Sequence, residues 1–435
     1  MARGLLQADD PLAHLLSPAF RTQLLSHALV LLAFLLLAYA WGTISPRFSA
    51  LSAPKQPRAR QERWQCIAKV DELWVYPVKS CRGTKLDEAD VTKKGWDMDR
   101  RWIVWDVKRE KGISLREEPR LALIAPTLDF ASEQLHLRYS DSSSVLSVAL
   151  HPSSATLATW ASLRVPMYGD GGTGRIVPDA SAWLAQHLGY ECHLLQFDPA
   201  GEERAAFPLF RKPNDWESWA RERKEEVEGK RGIEFQDEYP FLVATQESLS
   251  ALRTQLVDAV RSDTDGIGGA PIRNLDRDKW AARLDDADAQ LSMQRFRPNI
   301  VLSSLDADAT YAAYDEDEWD QLRIVRASSN DHSAREACSH ETCSLPPSTR
   351  SSIVLHLIAR CQRCLLTSVD PETAEKDVQV PLALLRRSRM RLKTPGKREG
   401  PCFGVYAVPE STGEVRVGDQ VWVRWRDESE EGKGE

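Results

Sequence analysis

Short runs of alternating apolar and polar residues are the feature of this sequence that most restricts its fold. They begin at Cys66 and are separated by Gly, Pro, Asp and Ser. Successive side chains of a strand point to opposite faces of a sheet, so the pattern is typical of an antiparallel sheet or small barrel. The first region of the chain is therefore predicted to be mostly β. The runs are VDELWVYPVKS, WIVWDV, LALIAPTLDF, QLHLRYS and VLSVAL.

The later part of the sequence combines helical and strand patterns. Around DASAWLAQHLG the apolar residues recur at helical spacing, and Gly189 can end the helix. A second amphipathic helix, ESLSALRTQLVDAV, follows the apolar run YPFLVAT, and FRPNIVLS predicts a buried strand. We therefore expect an α+β fold that is mostly β. The last strands are predicted in SIVLHLIARCQRCLLTSVD, FGVYAVP and EVRVGDQVWVRW.

Residues 24–44, LLSHALVLLAFLLLAYAWGTI, contain no Asp, Glu, Lys or Arg. At about 1.5 Å per residue, a helix of this length reaches roughly the thickness of a bilayer core. A cleaved secretory signal is the alternative, because Ala38, Tyr39 and Ala40 resemble a cleavage site, but the apolar run exceeds the usual length. Basic residues are in excess after the run, which predicts that the body faces the cytosol. We expect a single-pass membrane anchor.

The patterns divide the chain into consecutive segments. Residues 45–65 and 328–352 are polar and rich in Pro and Ser, so they are predicted to be a linker and a surface insertion. The expected order is an N-terminal segment 1–23, the anchor 24–44, the linker 45–65, a first β domain 66–200, a second domain 201–424 containing the insertion, and a charged tail 425–435.

Composition excludes several function classes. The net charge of -7 and a pI near 5.8 argue against a general nucleic-acid binder, which needs a basic face. Eight cysteines in 435 residues are too sparse for a disulfide scaffold and indicate a reducing compartment. The Gly-rich runs GDGGTGR and DGIGGAP do not lie between a clear strand and helix, so no flavin or nicotinamide site is predicted. An iron-sulfur motif is also lacking.

The motif RCQRC at residues 360–364 follows a strongly apolar strand. A thiolate is a soft metal ligand, and neighbouring guanidinium groups favour the anion. The pair of cysteines is equally compatible with a redox dithiol or with two buried small residues. Cys338 and Cys343, with His332 and His340 nearby, would give a four-ligand zinc site, although their Ser- and Pro-rich loop lacks the usual turns.

Several basic residues lie beside apolar strands, where an unpaired cation would be costly to bury. Carboxylates such as Asp99, Glu117 and Glu118 could neutralise them singly as ordinary ion pairs. Together, Arg forks, a Lys and a Ser hydroxyl also suit a phosphate-bearing cofactor. The set consists of Lys79, Ser80, Arg100, Arg116, Arg120 and Arg297.

Six motifs, in order, resemble the MOSC family, whose members carry an N-terminal β-barrel domain ahead of a MOSC β-barrel domain. Within that family the chain is most similar to the amidoxime-reducing members. The resemblance covers about residues 66–424. The motifs are YPVKSCRG, DRRWIV, LREEPRLALI, FRPNIV, RCQRCLLTSVDPET and CFGVYAVPESTGEVRVGDQVWV.

This resemblance implies a pterin-based molybdenum cofactor bound between the two domains, with Cys364 as the catalytic metal ligand. It also implies reduction of amidoximes, hydroxylamines and hydroxamic acids. A b-type cytochrome and its NADH-dependent reductase would donate the electrons, at the mitochondrial outer membrane. Gln362 stands where the family pattern has Ser. The positions implied to hold the cofactor are Lys79, Ser80, Arg100, Arg297, Gln362, Arg363 and Tyr406.

Alternatives remain open. MOSC domains also end molybdenum cofactor sulfurases, so a sulfur or cofactor carrier without reductase activity is possible. No pyridoxal-phosphate-binding region is expected, because the residues ahead of the first β domain are too few for one. A zinc-binding module is a third hypothesis. Asp370 is expected to form a turn before Pro371 rather than to orient Thr367 or relay a proton.

Overall fold

The computed structural model describes residues 64–140, 142–167, 171–201, 204–205, 232–261, 271–284, 291–305, 311–326, 352–390 and 399–426. Nearly all of the predicted linker 45–65, of the insertion 328–352 and of the charged tail lies outside the described residues.

The described residues form five α-helices and twenty-one strands, many of them short. The helices are α1 Ser154–Thr159, α2 Ala180–Leu188, α3 Gln246–Arg261, α4 Arg277–Leu284 and α5 Leu382–Ser388. The strands are β1 Gln65–Val75, β2 Thr84–Leu86, β3 Glu88–Thr92, β4 Gly95–Trp96, β5 Trp102–Asp106, β6 Lys111–Gly112, β7 Ile124–Asp129, β8 Gln134–Tyr139, β9 Val145–Ala149, β10 Ser162–Val165, β11 Gly172–Ile176, β12 Cys192–Phe197, β13 Arg204–Ala205, β14 Gly232–Ile233, β15 Phe241–Thr245, β16 Ile300–Ser304, β17 Trp319–Val325, β18 Ile353–Gln362, β19 Cys402–Pro409, β20 Gly413–Arg416 and β21 Gln420–Trp425. Single 3-10 turns lie at Pro119–Leu123, Met293–Phe296, Asp315–Glu318 and Leu365–Ser368.

Seven of these strands close into a barrel, which confirms the mostly β fold. Their order is β16-β15-β19-β18-β17-β21-β1, and β1 pairs again with β16. Leu73 lies opposite Ile300 on one side of β1, and Cys66 lies opposite Trp422 on the other. The strand Gln65–Val75, which the predicted boundaries place mainly in the first domain, is therefore a barrel strand.

The barrel strands β15 and β16 are largely apolar on both faces. Phe241 and Val243 point into the barrel, where they join its central core. The next residue, Ala244, points outward against the helix layer that contains Leu249 and Leu252 of α3. Strands covered on both sides have no polar face, so they lack clear alternation in the sequence. The predicted helix after YPFLVAT is confirmed as α3.

The first region contains a five-stranded sheet, β10-β11-β12-β5-β6, and a three-stranded sheet, β7-β8-β9. Helix α2 packs on them through Trp183 and Leu184 and ends at Gly189, whose φ of 77° is the left-handed conformation that glycine adopts without strain. This helix is confirmed as predicted. The core of this region also includes Val369, which belongs to the loop after β18. That loop consequently joins the two β regions.

The predicted single-pass anchoring is contradicted. Within residues 64–426, as far as they are described, no helix is both long and apolar enough to cross a membrane. The longest of them, α3, has 16 residues and an amphipathic sequence, whereas a bilayer core of about 30 Å requires about 20 apolar residues. The expectation of a single-pass, membrane-anchored protein facing the cytosol is therefore wrong, and the location at the mitochondrial outer membrane stays a prediction. Residues 24–44, on which it rested, lie outside the described residues.

Candidate functional site

The exposed thiol of Cys364 lies just beyond the end of β18. Its backbone is extended, and its carbonyl oxygen accepts hydrogen bonds from the Thr367 amide at 3.1 Å and the Thr367 hydroxyl at 3.0 Å. By contrast, Cys361 is buried, and burial raises the pKa of its thiol. Of the two cysteines in the motif, only Cys364 is placed to meet a ligand from solvent.

Arg363 fastens this turn to the loop that carries the FRPN motif. Its Nη2 donates to the Phe296 carbonyl at 2.6 Å, and its Nε donates to the Phe403 carbonyl at 3.0 Å. The guanidinium also lies over the Phe296 ring, 5.5 Å from the centroid. Because these donors are used on backbone carbonyls, Arg363 fixes where Cys364 sits relative to Arg297.

Two predicted residues, Arg100 and Arg297, lie over the ring of Tyr76, with their guanidinium carbons 4.4 and 4.2 Å from its centroid. Arg100 is paired with Asp99 at 2.5 Å. Arg297 donates through Nη1 to the Cys81 carbonyl at 2.6 Å, while its buried Nη2 has no partner among the described residues. Burial, together with repulsion from Arg100, lowers the pKa of Arg297 to about 10. An anion beside Arg297 would relieve that cost.

Lys79 and Ser80 lie on the turn that leads from β1 towards this pair of arginines. The Lys79 ammonium donates to the Phe235 carbonyl at 2.8 Å and pairs with Asp237 at 2.5 Å. Ser80 is buried and has a φ of 69°. The Cys81 carbonyl at the end of this turn accepts from Arg297, whereas the Lys79 ammonium is bonded to Phe235 and Asp237.

Tyr406 and Gln362 lie on neighbouring strands, β19 and β18, at a different edge of the site. The Tyr406 hydroxyl hydrogen-bonds the Cys361 thiol, and burial raises its pKa well above the ordinary value. The Gln362 side chain packs against Gly400, where an added Cβ would lie 2.9 Å from the Gln362 Cδ atom.

Asp370 forms the turn that was expected of it. Its Oδ1 accepts from the amides of Glu372 at 2.9 Å and Thr373 at 3.2 Å. Its Oδ2 accepts from Arg295 at 2.6 Å and Arg283 at 3.1 Å. Burial alone would raise the pKa of Asp370, but Arg295 and the backbone donors hold it below the usual value. The Asp370 carboxylate therefore stabilises the turn. It does not orient Thr367, whose hydroxyl donates to the Cys364 carbonyl.

The structure also brings in residues that the sequence did not single out. A small recess is lined by Tyr76, Arg295 and Arg297 together with Leu366 and Val369 of the loop that follows Cys364. Arg295 was missed because its neighbour in the sequence, Arg297, carried the recognisable motif. Its position in QRFRPN, two residues before Arg297, was the one signal in the sequence that could have pointed to Arg295.

Other predicted residues are not part of this cluster. Arg120 makes an ordinary ion pair with Glu118 at 2.7 Å, and the carbonyl of Arg116 accepts from Lys376 at 2.7 Å. No group of three or more His, Cys, Asp or Glu side chains suited to a metal occurs among the described residues. Cys338 and Cys343 lie outside them, so the zinc hypothesis stays untested.

Comparison with known proteins finds two domain families. A family model described as the MOSC N-terminal beta barrel domain matches residues 67–191, and one described as the MOSC domain matches residues 272–422. The two matches together span more than half of the chain. The second contains both Arg297 and Cys364.

Curated relatives align along most of the chain. Mitochondrial amidoxime-reducing component 1 of Mus musculus is 28% identical over 398 residues, covering 89% of this chain and 89% of that protein. Mitochondrial amidoxime reducing component 2 of Homo sapiens is 28% identical over 399 residues, covering 89% and 90%. Among solved structures, the YUAD protein of Bacillus subtilis is 9% identical with a TM-score of 0.29, covering 84% of this chain and 100% of its own. So weak a structural likeness carries no argument.

Proposed function

We propose, from the premise that this chain belongs to the MOSC-domain family, that it is a molybdenum-cofactor oxidoreductase acting on N-hydroxylated compounds. Both family domains are present, and the relatives that align along 89% of the chain are named for amidoxime reduction. Amidoximes, hydroxylamines and hydroxamic acids are the proposed substrate class. A b-type cytochrome with its NADH-dependent reductase is the proposed electron source.

One observation supports the cofactor most directly: the buried Nη2 of Arg297 has no partner among the described residues. A buried cation without an anion is costly, and an anionic pterin cofactor carries a phosphate that guanidinium groups bind well. Cys364 offers an exposed thiol on the turn that Arg363 ties to the Arg297 loop. These donors fit an anionic, thiolate-ligated cofactor.

In this proposal each residue has a limited task. When bound, the cofactor supplies the two-electron chemistry that removes oxygen from nitrogen, with two protons taken up and water released. Cys364 provides the thiolate ligand, and Arg100 and Arg297 hold negative charge. Arg363 positions the turn. Leu365, 50% exposed beside Cys364, offers an apolar contact to the carbon part of a substrate.

The test is metal content and activity of the full chain, produced in a host that synthesises the cofactor. We expect near-stoichiometric molybdenum by elemental analysis, and benzamidoxime reduction with an artificial electron donor. Cys364→Ser should lower that activity by about 100-fold or more, since the metal ligand is lost. Cys66→Ser makes the same change at a partly buried barrel cysteine and should keep the activity of the parent.

Two results would overturn the proposal. Zinc in place of molybdenum would favour a structural metal site. Molybdenum without reduction of any N-hydroxylated compound would favour a cofactor carrier.

A further inference from the structure

Gln362 and Cys364 lie two residues apart where β18 ends. The two residues that alternate with them point the other way: Cys361 is buried, and Arg363 donates through Nε to the Phe403 carbonyl at 3.0 Å. Cys364 itself has an extended backbone. Because alternate side chains of an extended chain share a face, the half-buried Gln362 side chain lies on the same face as the exposed Cys364 thiol.

Gly400 determines where the end of the Gln362 side chain lies. A Cβ atom at Gly400 would be 2.9 Å from both Cδ and Nε2 of Gln362, and 3.1 Å from its Cγ. The carboxamide therefore packs directly on the glycine backbone, in space that any other residue would fill. Two residues of extended chain span about 7 Å, so this amide is within reach of a molecule bound at the Cys364 thiol.

The amide of Gln362 differs in chemistry from the serine that the family pattern has at this position. A carboxamide offers an acceptor oxygen and an NH₂ donor side by side. An amidoxime presents an NH₂ donor next to its oxime nitrogen, and a hydroxamic acid presents a carbonyl next to its N–H, so either can form two parallel hydrogen bonds with a carboxamide. A simple N-alkylhydroxylamine lacks the second group. A carboxamide beside the reacting N–OH can therefore distinguish these classes.

We propose that the Gln362 carboxamide is a specificity-determining group, which selects amidoximes and hydroxamic acids over simple hydroxylamines. The inference rests on the proposed function for the identity of the ligand and for its place at Cys364. The carboxamide pairs with the polar group next to the N–OH, while the hydrocarbon part lies towards the exposed Leu365. Gly400 keeps the carboxamide in position.

Binding to the full chain, produced in a host that synthesises the cofactor and kept without an electron donor, tests this role. Benzamidoxime and N-benzylhydroxylamine are titrated calorimetrically, because both carry a phenyl ring, one carbon and an N–OH but only the first carries the additional NH₂. We expect the parent to bind benzamidoxime about 10-fold or more tightly than N-benzylhydroxylamine. Gln362→Leu keeps the bulk but removes both hydrogen bonds, so it should lose that preference. Its affinity for N-benzylhydroxylamine should change by about twofold or less.

Gly400→Ala tests the same site with the chemistry of Gln362 intact. The added methyl group displaces the carboxamide, since the flexible end of a side chain moves more easily than backbone does. Benzamidoxime binding should therefore weaken about 3- to 10-fold. Gln134→Leu is the matched control, because it makes the same change at a half-buried glutamine of β8. It should leave both affinities unchanged.

Three results would overturn the inference: no binding of benzamidoxime, equal affinity of the parent for the two compounds, or a parallel loss of both affinities in Gln362→Leu. Failure of the proposed function looks different. Selective binding of benzamidoxime without its reduction would support the role of Gln362 and refute the reductase. Reduction with unchanged selectivity in Gln362→Leu would support the reductase and refute the role of Gln362.

Discussion

A single buried carboxyl group makes the stability of this protein depend on pH. Glu316 is fully buried, and its oxygens accept from the hydroxyls of Ser248 at 2.6 Å and Thr245 at 3.2 Å. Burial, reinforced by repulsion from Asp317, raises the pKa of Glu316 from 4.5 to about 7. The folded protein therefore holds this proton more tightly than the unfolded chain does.

We predict that Glu316→Gln removes this pH dependence. Because the folded pKa lies above the unfolded one, the contribution is fully present below about pH 4.5 and is lost as the pH rises through 7. The free energy of unfolding of the variant minus that of the parent should therefore increase by roughly 2 to 3 kcal/mol from pH 5 to pH 8. Urea unfolding at several pH values measures this. Glu88→Gln, at an exposed position, is the control, and its free energy of unfolding should change with pH as that of the parent does. The same pH dependence in Glu316→Gln would refute the prediction.

The sequence predicted which charged residues matter at the site, but it did not predict which side chains they contact. Arg100 and Arg297 were predicted because each adjoins an apolar strand, where a cation needs compensation. Their shared stacking on Tyr76 was not predicted, since two guanidinium groups meet that ring only after the turns at Lys79 and at Arg297 have folded. Arg295, two positions before the motif residue Arg297, is likewise buried by residues that are distant in sequence.

Helix α4 is bonded to the loop that follows Cys364 through three of its side chains. Trp280 is fully buried, and its indole Nε1 donates to Asp377 at 2.7 Å. Arg283 pairs with Asp370, and Lys279 pairs with Glu375 at 2.8 Å. Three consecutive parts of the loop are thus fixed to one short helix.

We predict that Trp280→Phe loosens this loop. The change removes the hydrogen bond to Asp377 and should cost about 1 to 3 kcal/mol of stability, because the carboxylate loses a buried donor. Hydrogen exchange of amides in residues 365–377 should become faster. Trp425→Phe is the control, since it removes an indole hydrogen bond to Gln65 at 3.1 Å that lies on β21 rather than on α4. Unchanged exchange in Trp280→Phe, or equal acceleration in both variants, would show that α4 does not hold the loop.

Elements were predictable where their own residues determine them. Helix α2 has an apolar stripe and a terminal Gly189, and α3 has a long amphipathic period. Helix α4 was not predicted, because only Trp280 of its eight residues is buried and no stripe marks it. Likewise, β20 lies in sequence between the barrel strands β19 and β21 but pairs with β3. The two strands are more than 300 residues apart, so the local sequence pattern does not predict their pairing.

At the scale of the whole molecule, barrel closure depends on the first described strand. β1 lies between β16 and β21, so both partners are more than 200 residues away in sequence. Alternation predicted that β1 is a strand, and the mostly β class followed. Which strands it joins could not be predicted, because pairing is decided by the assembled sheet. The predicted domain boundary near residue 200 consequently separates β1 from the barrel it completes.

This closure predicts that the second domain will not fold alone. A fragment of residues 201–435 leaves β16 and β21 with unpaired backbone edges and removes Val70, Leu73 and Val75 from the barrel core. We expect it to aggregate or to show no cooperative thermal transition. The same fragment preceded by residues 60–86 through a flexible linker regains the missing strand and should unfold cooperatively, as followed by circular dichroism and calorimetry. Cooperative unfolding of the bare fragment would mean that β1 is dispensable, and the barrel would then have to close through β16 and β21 directly.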